Sequence, residues 1–127
     1  ETLYRGAFET LCELGVAEAD IRRWEVPGSF ELIYAASALQ TSGQYDALIV
    51  LGSVIRGETP HFEYICSAVA QGIGSLNVRA GEQGLPAVID QSRARSGGRL
   101  GNKGVECAVD AIRMGHLYRN WNHKPIK

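Results

Sequence analysis

From Thr2 to Leu14 the apolar residues Leu3, Ala7, Phe8, Leu11 and Leu14 recur at the spacing that lines one face of an α-helix. Gly15 follows where a helix C-terminus favours a left-handed residue, so the pattern predicts a helix that stops there. Ile21 to Val26, carrying Trp24, is a short strand candidate that Pro27-Gly28 ends. Ser29 is then placed as the N-cap of a helix to about Gln40, with Leu32, Ile33, Ala36 and Leu39 turned inward. Thr41-Ser42-Gly43 breaks the pattern. Ala47 to Ser53 begins with an unbroken apolar run, as expected of a strand buried on both faces.

Beyond a polar loop, Phe62, Ile65, Val69, Ile73 and Leu76 return to helical spacing and predict a helix from about His61 to Arg79, with Thr59 as N-cap and Pro60 at its first position. Gly81 and Gly84 release the chain into a third strand, Leu85 to Asp90. A last helix is predicted from Asn102 or Lys103, with Val105, Ala108, Val109 and Ile112 on one face, followed by a loosely ordered tail from Trp121 to Lys127. This alternation implies one α/β sandwich domain over 1–127, with a mostly parallel sheet and right-handed crossovers. Gln91 to Leu100 fits neither element: it is polar and carries three arginines, so the path after the third strand looks abbreviated.

Composition narrows the class without changing that picture. The 127 residues are 45% hydrophobic and 21% charged with a formal net charge of −1, which gives no electrostatic reason to expect nucleic acid or an anionic membrane as partner. Cys12, Cys66 and Cys107 are far apart, fall in predicted helices and match no zinc spacing, so free thiols in a reducing compartment are expected. No apolar run approaches the roughly 20 residues that span a bilayer. A cytoplasmic protein is expected, and the opening Glu1 suggests that the natural start lies further upstream.

Candidate chemistry gathers at strand-to-helix junctions, where open α/β folds bind ligands. His61, at a helix start, could move protons near neutral pH, with capping or a surface role as the competing reading. Gly57-Glu58-Thr59 could cradle a phosphate with backbone N–H groups. Arg95, Arg99 and Lys103, among glycines, could grip phosphate oxygens or form a solvated basic loop. Glu31 suits a polyhydroxylated ligand or a dipole-stabilised surface site. Trp24 and Phe30 could stack on a flat heterocycle or lie in the core. Arg56 has Glu58 and Glu63 as alternative partners to a ligand.

Three motifs in order, Val26-Pro27-Gly28-Ser29-Phe30-Glu31, Leu51-Gly52-Ser53-Val54-Ile55-Arg56-Gly57-Glu58-Thr59-Pro60-His61-Phe62-Glu63-Tyr64 and Gly101-Asn102-Lys103-Gly104, closely resemble 6,7-dimethyl-8-ribityllumazine synthases. The resemblance covers nearly the whole chain and implies a three-layer α/β/α sandwich with a mostly parallel, flavodoxin-like sheet. It implies a cofactor-independent, metal-free transferase of riboflavin biosynthesis, condensing 5-amino-6-ribitylaminopyrimidine-2,4-dione with 3,4-dihydroxy-2-butanone 4-phosphate and releasing phosphate and water.

Carried over by motif, His61 would transfer protons; Gly57, Glu58 and Thr59 would hold phosphate with Arg95 and Lys103; Ser29, Phe30 and Glu31 would meet the ribityl chain and ring; and Ser53, Val54 and Ile55 would lie along the pyrimidine. The resemblance also implies a homo-pentamer or a larger shell with the active site between subunits, and riboflavin synthase as a further partner. Two departures stand out. The family's first strand would precede Glu1, and about a dozen residues of the family pattern are short between Asp90 and Gln91. Two other readings stand beside it: a flavin- or phosphate-binding module without turnover, and a shell-forming homologue whose catalysis is lost through the missing segments.

Overall fold

The computed structural model describes residues 2–28, 30–52, 61–90 and 103–122, with the side chains of residues 2, 61–66, 121 and 122 left aside. Its middle layer, among these residues, is a parallel pair of strands, β1 (Ala47–Val50) and β2 (Ala87–Asp90), in register from Ala47 opposite Ala87 to Val50 opposite Asp90. Around them lie α1 (Thr2–Glu13), α2 (Glu31–Gln40), α3 (His61–Gln83) and α4 (Lys103–Asn122), with a 3₁₀ turn at Glu18–Asp20.

The period-two alternation of the strands sorts the core into two halves. Leu48, Val50 and Val88 turn to one side and pack with Ala36 of α2 and Val69, Ile73 and Leu76 of α3. Ala47, Ile49, Ala87 and Ile89 turn to the other, against Cys107, Ala111 and Met114 of α4, and α1 lies along α4. Helices therefore cover both faces, and the chain is the expected three-layer α/β/α sandwich. Val88, Ile89 and Cys107 have no exposed surface.

Two helix ends are set by glycine. Gly15 (φ 103°) ends α1, with Val16 N–H bonding Leu11 O at 3.0 Å and Gly15 N–H bonding Cys12 O at 3.1 Å. Gly84 (φ 71°) ends α3, with Leu85 N–H bonding Ala80 O at 2.9 Å. Both are the paired bonds or the single long bond of a left-handed helix stop. Gly81, expected to help release the chain, stays inside α3, which runs on to Gln83 rather than Arg79.

The sequence expectation and the structure part at several ends. Ile21–Val26 pairs with no strand among the described residues; side chains hold it, Arg23 over the Tyr4 ring of α1 at 4.1 Å and Trp24 to Tyr45. A strand candidate becomes a strand only where a neighbour supplies the ladder. β1 stops at Val50, where its register with β2 runs out, rather than at Ser53. β2 begins at Ala87 rather than Leu85, because Leu85 is taken by the α3 stop. Phe30, with helical φ −64° and ψ −33°, flanks the start of α2 without a side-chain cap, and Glu31 N–H bonds Gly28 O at 3.1 Å. The expected Ser29 cap falls on a residue outside the described ones. Lys103 opens α4 as expected, but Val105 is exposed while Cys107 and Ala111 face the sheet, and the helix continues through Trp121 and Asn122.

Candidate functional site

Parallel strands bring their carboxyl ends to one edge, and here Val50 and Asp90 stand side by side at that edge. β1 leads to α3, whose first residue is His61, and β2 leads to α4, whose first residue is Lys103. Segment 21–26 likewise leads to the start of α2 at Glu31. The helix starts of α3 and α4 each follow a strand of one parallel pair, so each presents unpaired N–H groups and a partial positive charge on the carboxyl side of the sheet. Such an edge suits an anionic ligand.

Lys103 is held rather than free. Its Nζ lies 3.6 Å from Glu106 Oε2, and the two side chains are 19% and 27% exposed. A cation in the first helical turn opposes the helix dipole, and Glu106 offsets that cost. The result is a half-buried ammonium held at the start of α4, next in sequence to the buried Gly104. Asp90 is buried at 8% exposure, a carboxyl on the same edge. Neither Asp90 nor Glu106 is among the residues that motif reading selects. The i, i+3 spacing of Lys103 and Glu106 was a legible signal for the second; for Asp90 the sequence offers only its place at the end of an apolar run.

At the α2 junction, Glu31 folds back over Gly28, so that a Cβ at position 28 would come within 2.8 Å of Glu31 Oε1. Phe30 is half exposed at this helix start, as a surface for a flat ring would be, and not in the core. Trp24 is also exposed, at 59%, but its Nε1–H donates to the Tyr45 hydroxyl at 3.4 Å. Tyr45 precedes β1, so this bond draws the indole toward the amino end of the strand, away from the edge that holds His61 and Lys103.

His61 is placed as the first residue of α3, as expected, its side chain being among those left aside. Ser29, Ser53, Val54, Ile55, Gly57, Glu58, Thr59 and Arg95 lie outside the described residues, as does the expected shortfall after Asp90. Among the described residues, no three His, Cys, Asp or Glu side chains come together as a metal site. No helix among them is long and apolar enough to cross a membrane.

Residues 1–119 match the family of 6,7-dimethyl-8-ribityllumazine synthase. The chain is 48% identical to the 6,7-dimethyl-8-ribityllumazine synthase of Christiangramia forsetii over 129 residues, covering 94% of this chain and 75% of that one. It is 48% identical to that of Flavobacterium johnsoniae over 122 residues, covering 92% of this chain and 64% of the relative. With that of Porphyromonas gingivalis it shares 45% identity over 124 residues, 94% of this chain and 77% of the relative. The chain thus spans between 64% and 77% of the length of these relatives.

Proposed function

The chain belongs to the 6,7-dimethyl-8-ribityllumazine synthase family, and from that membership we propose that its carboxyl edge condenses 5-amino-6-ribitylaminopyrimidine-2,4-dione with 3,4-dihydroxy-2-butanone 4-phosphate. The observation that carries the reading is the match over residues 1–119; the positions of His61 and Lys103 as first residues of the helices that follow the two parallel strands support it.

The chemistry asks for little beyond positioning, proton movement and an anion site. The 5-amino group attacks the ketone carbon and the carbinolamine loses water to an imine. A proton leaves the adjacent hydroxyl-bearing carbon as phosphate departs from the terminal carbon beyond it, the resulting enol becomes a ketone, and the ribitylamino nitrogen closes onto that carbonyl with loss of a second water. Each step moves a proton, which His61 supplies or takes at the start of α3. Gly57, Glu58 and Thr59 hold the phosphate before that helix start, and Arg95 and Lys103 neutralise the charge that grows as it leaves. The Glu106 contact fixes Lys103 for that task. Ser53, Val54 and Ile55 line the pyrimidine, while Ser29, Phe30 and Glu31 take the ring and ribityl hydroxyls. Trp24 joins the ring surface only on leaving Tyr45. Holding two substrates in one geometry supplies much of the rate.

The reading extends to assembly. The site is shared, Arg95 and Lys103 serving the His61 of an adjacent subunit in a homo-pentamer or larger shell. Support comes from exposed apolar side chains on the α2–α3 layer, Phe30 and Tyr34 on one side of α2 and Val78 on α3, with Tyr34 79% exposed. The partner taking the product is riboflavin synthase, and free Cys12 and Cys107 are in keeping with a reducing cytoplasmic setting. An upstream first strand and a shortfall after Asp90 remain part of the reading; the 129-residue match to the Christiangramia forsetii relative, longer than this 127-residue chain, supports the second.

The test is to mix both substrates and follow lumazine fluorescence. His61→Ala should lower kcat on the order of 100-fold or more. Arg95→Ala should raise KM for the phosphorylated substrate roughly 10- to 100-fold, the worth of a charge-assisted pair. Full activity in either variant would remove that residue from the role given.

A further inference from the structure

Gly72 lies in the middle of α3, on the face turned to α2. A Cβ added there would stand 2.2 Å from Ile33 Cδ1, 2.9 Å from its Cγ1 and 3.4 Å from its Cγ2. The first turn of α2 therefore rests on bare α3 backbone, closer than a residue with a side chain allows. Gly74 and Gly81, in the same helix, would have nothing within 4 Å of an added Cβ. Of these three glycines, only the one at position 72 is bound up with a contact that alanine would destroy. Ile33 has little room to yield. It packs against the core of Ala36, Val69 and Ile73, and turning its χ2 moves Cδ1 but leaves Cγ1 where it is, set by a χ1 that is stiff in a branched residue on a helix.

α2 is held unevenly along its length. Its far end is pinned: the Gln40 amide donates to Leu76 O and Pro86 O, and Arg79 donates to Gln40 Oε1 and Ser37 Oγ. Its near end has no side-chain cap. Main-chain bonds carry that end, Ile33 N–H to Phe30 O at 3.3 Å and Glu31 N–H to Gly28 O at 3.1 Å. A push on the Ile33 side chain therefore swings the first turn about the pinned end. At 1.5 Å per residue Ile33 stands roughly 10 Å from Gln40 along the axis and Phe30 roughly 15 Å, so the helix start moves farther than the point pushed. Bringing the 2.2 Å approach out to ordinary contact asks for a shift of about 1 Å, a displacement that on the order of 100-fold losses can follow when it reaches a substrate contact.

We propose that Gly72 is a positioning residue for the ribitylaminopyrimidine: its bare backbone sets how deeply α2 seats on α3, and so where Phe30 and Glu31 offer ring surface and carboxylate to that substrate. Resting on the roles given above to Phe30 and Glu31, this separates the two substrates, because the phosphorylated ketone meets residues outside α2.

Lumazine fluorescence gives kcat and the KM of each substrate with the other saturating. The chains compared are wild type, Gly72→Ala, Ile33→Ala, and Gly72→Ala combined with Ile33→Val or with Ile33→Ala. Gly74→Ala is the control for a methyl added to α3 where space is open. Gly72→Ala should raise KM for the ribitylaminopyrimidine roughly tenfold or more, with kcat and KM for the phosphorylated ketone within about threefold of wild type. Gly74→Ala should move none of the three. Ile33→Val removes Cδ1 and keeps Cγ1, so its double variant should show an intermediate KM. Ile33→Ala removes all three atoms near the added methyl, and its double variant should lie within about threefold of Ile33→Ala alone. Should Gly72→Ala alone fail to fold, the two double variants still test the order. A rise shared equally by both substrates, an unchanged KM in Gly72→Ala, or no relief from Ile33→Ala overturns the positioning role while the wild-type chain makes lumazine. A wild-type chain that makes none overturns the catalytic reading itself, and the positioning role with it.

Discussion

Gln40 has no exposed surface, yet it carries an amide into the core at the end of α2. Its Nε2 donates to Leu76 O at 3.1 Å and Pro86 O at 3.0 Å, and its Oε1 accepts from Arg79, which also reaches Ser37 Oγ at 3.1 Å. One side chain thus ties α2 to α3 and to the entry of β2. Gln40→Leu keeps the bulk but strands the Pro86 carbonyl and weakens the hold on a guanidinium. The expected loss is about 3 kcal/mol, read as a lower urea midpoint with unchanged slope. Cys12, half-buried on α1, has its thiol pushed above the ordinary value by desolvation and then by Glu18 and Glu9. A raised value means less thiolate at a given pH, so iodoacetamide should label Cys12 more slowly than a free peptide thiol at pH 8. The rate should rise with pH, and Glu18→Gln should speed it; equal rates with peptide would contradict the effect. At this scale the site was partly legible. His61 and Lys103 could be placed at helix starts because the apolar spacing that follows each is a local signal. The tie of Trp24 to Tyr45, 21 residues away in sequence, was not, because it depends on how two segments meet in space.

Elements show the same division. α1 was legible to within a residue because its apolar period and its glycine stop agree. α3 was read too short, since Gly81 looks like a breaker; inside a packed helix a glycine costs only about 1 kcal/mol and the chain continues. The actual stop is Gly84, where φ is positive. A Cβ at Gly84 would meet nothing within 4 Å, so Gly84→Ala isolates the backbone cost, expected at about 1 kcal/mol. Asn77→Leu should cost more, roughly 2–3 kcal/mol, because Val88 has no exposed surface and its N–H and C=O would both lose their amide partner. Thermal unfolding of the two variants checks the order, and an inverted ranking would deny Asn77 its strand-like role. Ile21–Val26 was misread as a strand for a related reason: its residues have the composition of one, but strand identity belongs to a pair.

For the whole molecule, the layers are legible in the sequence because alternating helix and strand patterns admit few arrangements. The proposed sharing of the site between subunits lies beyond what a single chain can carry. On the reading proposed above, a head-to-tail ring would join the His61 of one subunit to the Arg95 of the next at equivalent interfaces. That geometry makes a distinctive prediction. His61→Ala and Arg95→Ala chains, each inactive alone, should regain lumazine synthesis when unfolded together and reassembled. A random mixture in equal amounts places an intact His61 opposite an intact Arg95 at about a quarter of the interfaces, so recovery should approach a quarter of the wild-type rate. Mixing the two already assembled variants without subunit exchange should recover nothing. If both residues instead served a site within one subunit, every subunit in the mixture would carry one lesion. No reassembly could then restore activity, and the absence of recovery in properly formed mixed rings would place Arg95 and His61 in the same subunit's pocket.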